Sequence, residues 1–166
     1  DADVPPVVVN PVDVTKVGEY TITYNASDAA GNDSVEVTRK VTVVDTTVPV
    51  ITLVGDAEFT QQAGITFTDP GSTVADNIDT GLTATVTGAV DISKLGEYTL
   101  SYNVTDTAGK VAVEVTRKVT VVDTTLPVIA LKGEAEVNHE AGSDYTDAGV
   151  GVTDNFDTEL TPVVVN

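Results

Sequence analysis

The thirteen residues VEVTRKVTVVDTT stand at Val35–Thr47 and again, unchanged, at Val113–Thr125, a spacing of 113 − 35 = 78 residues. The same offset aligns Tyr20 with Tyr98, Asp28 with Asp106, Gly31 with Gly109, Gly55 with Gly133, Asp76 with Asp154 and Asp79 with Asp157, without a gap. A fixed period of this kind marks an array of like units, each packed mainly against its neighbours. In 166 residues there is room for at most two cores of ordinary domain size.

The unit is framed by its linkers. One complete copy runs from Thr46 to Asp123, residues 1–45 match the back part of a repeat, and residues 124–166 match the front part of another. The closing PVVVN of Pro162–Asn166 reproduces Pro6–Asn10 two periods earlier. Each partial copy needs its missing strands from somewhere. Either sequence beyond this stretch supplies them, or the front part of one molecule is completed by the back part of another, giving a head-to-tail filament.

Valine dominates the apolar residues, threonine is abundant, Cys, Met and Trp are absent, and aromatic residues make up 5%. β-Branched residues favour strands, and apolar alternation in the complete copy predicts strands near Val50–Val54, Glu58–Gln61, Ile65–Thr68, Leu82–Thr87, Glu97–Thr105 and Val111–Val122. No helical period is present. Leu100, Tyr102 and Val104 share one face of the fifth strand, and Val111, Val113 and Val115 one face of the sixth. Between them, Asp106-Thr107-Ala108-Gly109-Lys110 reads as a type I turn with Gly in the left-handed position. Arg117 has the parity of Val115 and Val119 and so points inward on a regular strand. A bulge near Thr116–Lys118, or an Arg reaching the sheet edge, resolves the conflict.

Lys94-Leu95-Gly96-Glu97-Tyr98-Thr99-Leu100 and its echo Lys16-Val17-Gly18-Glu19-Tyr20-Thr21-Ile22 resemble the tyrosine corner of immunoglobulin sandwiches, with Leu100 and Ile22 where antibody domains place a Cys. Together with the frame DTTxPVIxLxG, DPG, DN-x-D, GEYT-x-x-Y-x-x-D-x-AG and VTRKVTVVD, the chain resembles the bacterial surface Ig-like repeat family. That family is also found appended to pesticidal crystal proteins and is related in pattern to hyalin repeats. The resemblance implies an all-β fold of tandem immunoglobulin-like sandwiches in a secreted or cell-surface protein, serving as spacer or adhesive module. The third copy departs from the frame, with Asp147-Ala148-Gly149 where the second has Asp69-Pro70-Gly71.

A net charge of −18 excludes binding to a phosphate backbone, which needs Lys and Arg to release counterions, and repels anionic membranes. No apolar run reaches membrane-spanning length, so direct membrane insertion is not expected. The absence of Cys leaves core packing, contacts between repeats, or cations to hold the fold. If the first two strands run the same way down the sandwich and successive strands then alternate in direction, the linker and two loops meet at one pole. Asp45, Asp76, Asn77, Asp79 and Asp106 then gather at one junction, and Asp123, Asp154, Asn155 and Asp157 begin its equivalent. Clustered carboxylates repel one another, and a set of hard oxygens suits Ca²⁺. The alternative is that Asp and Asn stand in these loops as solvated turn and capping residues.

Catalysis finds no constellation, and an enzyme is not expected. His139 is the only His, and Gln61 stands one period before it. Threonines on exposed strand faces, such as Thr83, Thr85 and Thr87, offer a glycan or protein surface or are simply strand formers. Two readings remain: a stalk or filament module of an extracellular adhesin, stiffened by calcium, or a module that binds its ligand directly.

Overall fold

A computed structural model describes residues 4–164, so the outermost ends of the two partial repeats, 1–3 and 165–166, lie outside the described residues. Its described residues form eleven strands and no helix. By its internal contacts the chain forms two compact units interleaved along the sequence. One takes in the chain up to Thr52, Ser72–Thr85 and Asn103–Glu114; the other takes Leu53–Gly71, Val86–Tyr102 and the chain from Val115 onward.

In the first unit, β1 (Val7–Val9), β2 (Gly18–Asn25) and β3 (Val37–Val43) form an antiparallel sheet in that order. The unit also holds nearly all of a two-stranded sheet of β4 (Val50–Leu53) and β6 (Ser72–Ala75). In the second unit, β5 (Glu58–Gln62), β7 (Thr85–Thr87), β8 (Gly96–Asn103) and β9 (Val115–Val122) form a sheet in the order β5-β9-β8-β7. β5 runs parallel to β9, and β8 antiparallel to it. β10 (Val128–Leu131) and β11 (Val150–Thr153) form a separate antiparallel pair.

The tyrosine corners form as the spacing predicts. The hydroxyl of Tyr98 donates to the Lys94 carbonyl at 2.9 Å, and that of Tyr20 to the Lys16 carbonyl at 2.9 Å, pinning each strand entry to the loop before it. Leu100 and Ile22, two residues on, are buried. Removing the hydroxyl in Tyr98→Phe is expected to lower stability by about 1 kcal/mol, the usual net worth of such a bond; urea unfolding of the variant beside the parent measures it. The hairpin turn also forms as expected. Gly109 has φ of 80°, and its N–H bonds the Asp106 carbonyl at 3.2 Å.

Other strand expectations are corrected. Ile65–Thr68 pairs with no strand. The Gln61 side chain bonds the Ile65 carbonyl at 2.8 Å, and Phe67 turns edge-on to Phe59 at 5.9 Å. The missing pairing is taken by Ser72–Ala75, a short segment whose Gly and Ser neighbours read as loop. Only Thr85–Thr87 of the expected Leu82–Thr87 is strand.

Val111 and Val113 face solvent, Val113 at 79% exposure, and Ala112 is buried in their place. The cause is a change of register. Tyr102 pairs with Val115 but Thr105 bridges Val111, so residues 112–114 oppose only 103–104. One extra residue turns the flanking valines outward. The same slip follows β2, where Tyr24 pairs with Val37 while Ser27 bridges Asp33, and Val35 is exposed.

Pairing along β9 is regular through Thr116–Lys118, so the bulge expected there does not occur. Arg117 points inward and is fully buried (0% exposed). Its guanidinium donates to the carbonyls of Asp56 (2.5 Å), Val54 (2.7 Å) and Gly71 (3.1 Å) and to the Tyr102 hydroxyl (3.1 Å), and pairs with Asp69 at 3.1 Å. It also lies 5.5 Å from the Phe59 ring centre. Tyr102, itself fully buried, donates to the same Asp69 oxygen at 2.7 Å. A planar group with five donors reaches carbonyls at the ends of two short strands, which is why a charge stands where parity asks for an apolar residue.

Candidate metal centre

Asp45, Asp76 and Asp106 meet within the first unit: one carboxylate oxygen from each lies within 4.8 Å of the others. Asp45 closes the VVD linker, Asp76 follows β6, and Asp106 opens the hairpin turn. Each spends one oxygen on a nearby backbone N–H. Asp45 Oδ1 accepts from Thr47 at 3.1 Å, Asp76 Oδ2 from Ile78 at 2.9 Å and Asp79 at 3.0 Å, and Asp106 Oδ1 from Lys110 at 2.6 Å. These are local side-chain-to-backbone bonds of two to four residues, the Asp45–Thr47 and Asp76–Ile78 ones being Asx turns, the ordinary reason for Asp in such loops.

The second oxygens behave differently. Asp45 Oδ2, Asp76 Oδ1 and Asp106 Oδ2 are buried and have no hydrogen-bond partner. Asp45 and Asp106 are each only 6% exposed. A turn residue in water has no need to bury its spare oxygen, and an unpaired buried acceptor carries its full desolvation cost. With its amide nitrogen turned toward them, Asn77 donates to Thr47 Oγ1 (3.1 Å), Asp45 Oδ1 (3.3 Å) and Asp76 Oδ2 (3.3 Å), tying the linker to the loop. It is placed as a brace for two carboxylates. Asp79 stays outside the trio: its carboxylate accepts from the N–H of Thr107 at 2.9 Å and from its hydroxyl at 2.8 Å, fastening the loop to the hairpin turn.

In the second unit Asp123, Asp154 and Asp157 bring oxygens within 4.8 Å of one another. Asp123 Oδ1 accepts from Thr125 at 3.1 Å, Asp154 Oδ2 from Phe156 at 2.8 Å and Asp157 at 3.1 Å, and Asp154 Oδ1 is buried without a partner. Asn155 reaches the Ala63 carbonyl at 3.4 Å. Gln62, which sequence reasoning passed over, holds this linker from both ends of its amide, donating to Asp123 at 2.8 Å and accepting from the Thr124 hydroxyl at 2.8 Å. Thr107 was passed over likewise; its pairing with Asp79 across 28 residues leaves no local signal. Both clusters are made of oxygen alone, a donor set for hard cations such as Ca²⁺. His139 belongs to neither and packs against Tyr145 at 5.2 Å, its ring nitrogen 2.9 Å from the Ser143 hydroxyl.

The N–H groups of Asp79 and Ile78 hold the Asp76 carboxyl below the ordinary value of 3.8, and those of Phe156 and Asp157 do the same for Asp154. At the loop before β2, the Thr15 hydroxyl and N–H lower Asp13 to about 2. A carboxyl depressed on folding favours the folded state above its unfolded value, and that contribution is lost as pH falls toward the folded value. Melting temperature in chelator is therefore expected to decline as pH drops below 3.8, with the Asp13 share gone near pH 2; a thermal melt series across that range reads it.

Among known proteins, hyalin of Lytechinus variegatus is 35% identical over 129 residues, 73% of this chain but only 24% of hyalin, so the chain spans about a quarter of that relative. The crystal structure of the lipoprotein BT2262 from Bacteroides thetaiotaomicron is similar over 47% of this chain and 39% of that one, at 26% identity and a TM-score of 0.40. Residues 7–43 and 51–121 match the family described as "Bacterial surface protein, Ig-like domain". The chain, all-β with paired tyrosine corners, belongs to this Ig-like family of bacterial surface proteins.

Proposed function

We propose that the chain is a spacer segment of an extracellular bacterial adhesin, holding more distal parts away from the cell, and that calcium at its junctions stiffens it. The observation that carries the calcium reading is that Asp45, Asp76 and Asp106, which bring carboxylate oxygens within 4.8 Å of one another, each also bury an oxygen that has no donor. Three negative charges so placed repel one another, and a divalent cation turns that repulsion into attraction. Asp45 belongs to the linker while Asp76 and Asp106 belong to the sandwich loops, so a shared cation fixes the linker's direction and resists bending. At the next linker Asp123 and Asp154 stand where Asp45 and Asp76 do, with Asp157, the counterpart of Asp79, as the third carboxylate. Ca²⁺ takes about six to eight oxygens, so waters and backbone carbonyls complete each shell.

Isothermal titration with Ca²⁺ tests this: binding heat is expected in the parent, with loss of the Asp45/Asp76/Asp106 site in Asp45→Asn. A parent that gives neither heat nor a rise in melting temperature refutes the calcium reading.

A further inference from the structure

Beside the Asp45/Asp76/Asp106 cluster stands one neutral group whose position serves two states. One end of the Asn77 amide lies 3.1 Å from Thr47 Oγ1, 3.3 Å from Asp45 Oδ1 and 3.3 Å from Asp76 Oδ2. Ionised carboxylate oxygens only accept hydrogen bonds, so without an ion the amide nitrogen takes that place. Yet both carboxylate distances are long for the bonds this implies, since N–H···O bonds centre on about 2.9–3.0 Å and seldom pass about 3.2 Å.

The same distances fit a second arrangement. Six oxygens at about 2.4 Å from one Ca²⁺ stand about 3.4 Å from their neighbours. An amide oxygen at this end of Asn77 therefore has the spacing of a ligand that shares an ion with Asp45 and Asp76. Thr47 suits either orientation, because its hydroxyl accepts from an amide nitrogen and donates to an amide oxygen. The ion itself is called for on separate ground: Asp45 and Asp106, each 6% exposed, bury oxygens that have no donor, as does Asp76.

We propose that Asn77 is a fourth protein ligand of the calcium held by Asp45, Asp76 and Asp106, and that its amide turns over as the ion enters. Without the ion the nitrogen donates to both carboxylates and keeps linker and loop together against their repulsion. With the ion the oxygen faces it, and the nitrogen turns to solvent, to which Asn77 is exposed. The ion drives the turn, since an amide oxygen binds Ca²⁺ and an amide nitrogen does not. Linker and loop are tied in both states, so the ion meets a site already assembled and little ordering remains to be done on binding. This role presupposes the calcium site proposed above and adds a neutral ligand to its three carboxylates.

Two measurements test it. Nuclear magnetic resonance of the parent follows the Asn77 side-chain NH2 pair, assigned through its own backbone. Its protons are expected to exchange with water slowly in chelator and faster with Ca²⁺, the reverse of the protection that binding ordinarily brings. Calorimetric Ca²⁺ titration of Asn77→Leu, similar in shape but neither donor nor ligand, is expected to show one binding step weakened on the order of tenfold or more. Unchanged circular dichroism confirms that this exposed substitution leaves the fold intact. A parent that binds Ca²⁺ while its Asn77 protons exchange no faster, or an Asn77→Leu chain that binds as tightly as the parent, would overturn the role of the amide and leave the calcium site standing. A parent that binds no Ca²⁺ removes the site, and the role with it.

Discussion

Replacing Arg117 with alanine is expected to destabilise the second unit by about 3 kcal/mol, toward the lower end of what breaking a buried ion pair costs. The guanidinium serves five acceptors: the carbonyls of Val54, Asp56 and Gly71, the Tyr102 hydroxyl and Asp69. Truncation takes this donor from the Val54 and Asp56 carbonyls and leaves a hole beneath a fully buried tyrosine, while Gly71 keeps the Val54 N–H and Tyr102 keeps Asp69. Asp69 tempers the loss, because its side chain is 24% exposed and water reaches it in the variant. Arg117→Lys keeps the charge but not the fork, so it recovers only part of the stability. Tyr102→Phe, which removes one hydroxyl from the network, costs about 1–2 kcal/mol. Urea unfolding of the three variants ranks them; a loss below about 1 kcal/mol for Arg117→Ala contradicts the role given to the network.

Asp106→Asn is expected to stabilise in chelator and to lose that advantage, in part or whole, with calcium. In chelator the substitution removes one of three mutually repelling carboxylates and stabilises the first unit by about 1–4 kcal/mol, the range for a like-charge pair about 4 Å apart between bulk water and a partly buried site. The amide oxygen that replaces the carboxylate still accepts from the Lys110 N–H, so the turn itself survives. With Ca²⁺ at about a hundred times its dissociation constant, the parent gains about 2.7 kcal/mol per occupied site and the variant forfeits most of that at the Asp45 cluster. Thermal melts of both proteins, with chelator and with Ca²⁺, give the four numbers needed. Parent and variant curves separated by the same interval in both conditions rule the cation out, whereas simple turn residues predict a modest loss in each.

Much of this was legible in the sequence because it depends on short-range rules. A Tyr four residues after a loop carbonyl, a Gly where the turn needs positive φ, and alternation through Leu100, Tyr102 and Val104 are each written within a few residues. The gathering of Asp45, Asp76 and Asp106 was legible by a longer route, from two first strands that run the same way and later ones that alternate, which delivers the linker and two loops to one end. Arg117 was not. Parity put it inside, but a lone charge is rarely buried without partners, and the carbonyls it serves lie 46 to 63 residues away at strand ends with no local signature. The outward turn of Val111 and Val113 was hidden for a related reason. One extra residue in a ladder reverses every face beyond it, and nothing in the run Val111-Ala112-Val113-Glu114-Val115 marks where the extra residue sits.

The parallel pairing of β5 with β9 governs how this fold responds to force. β5 is entered from the Asp56 side and β9 is left at Val122, so tension along the chain pulls the two strands in opposite directions along their common axis. The ladder from Glu58–Lys118 to Gln62–Val122 is then loaded in shear, with its bonds sharing the strain, whereas an antiparallel hairpin pulled from its ends unzips one bond at a time. Arg117 stands beside that ladder and grips the carbonyl of Asp56 just ahead of β5. Rupture under tension therefore requires the sliding of a whole strand together with the extraction of a buried guanidinium, which makes this pair the mechanical clamp of the second unit.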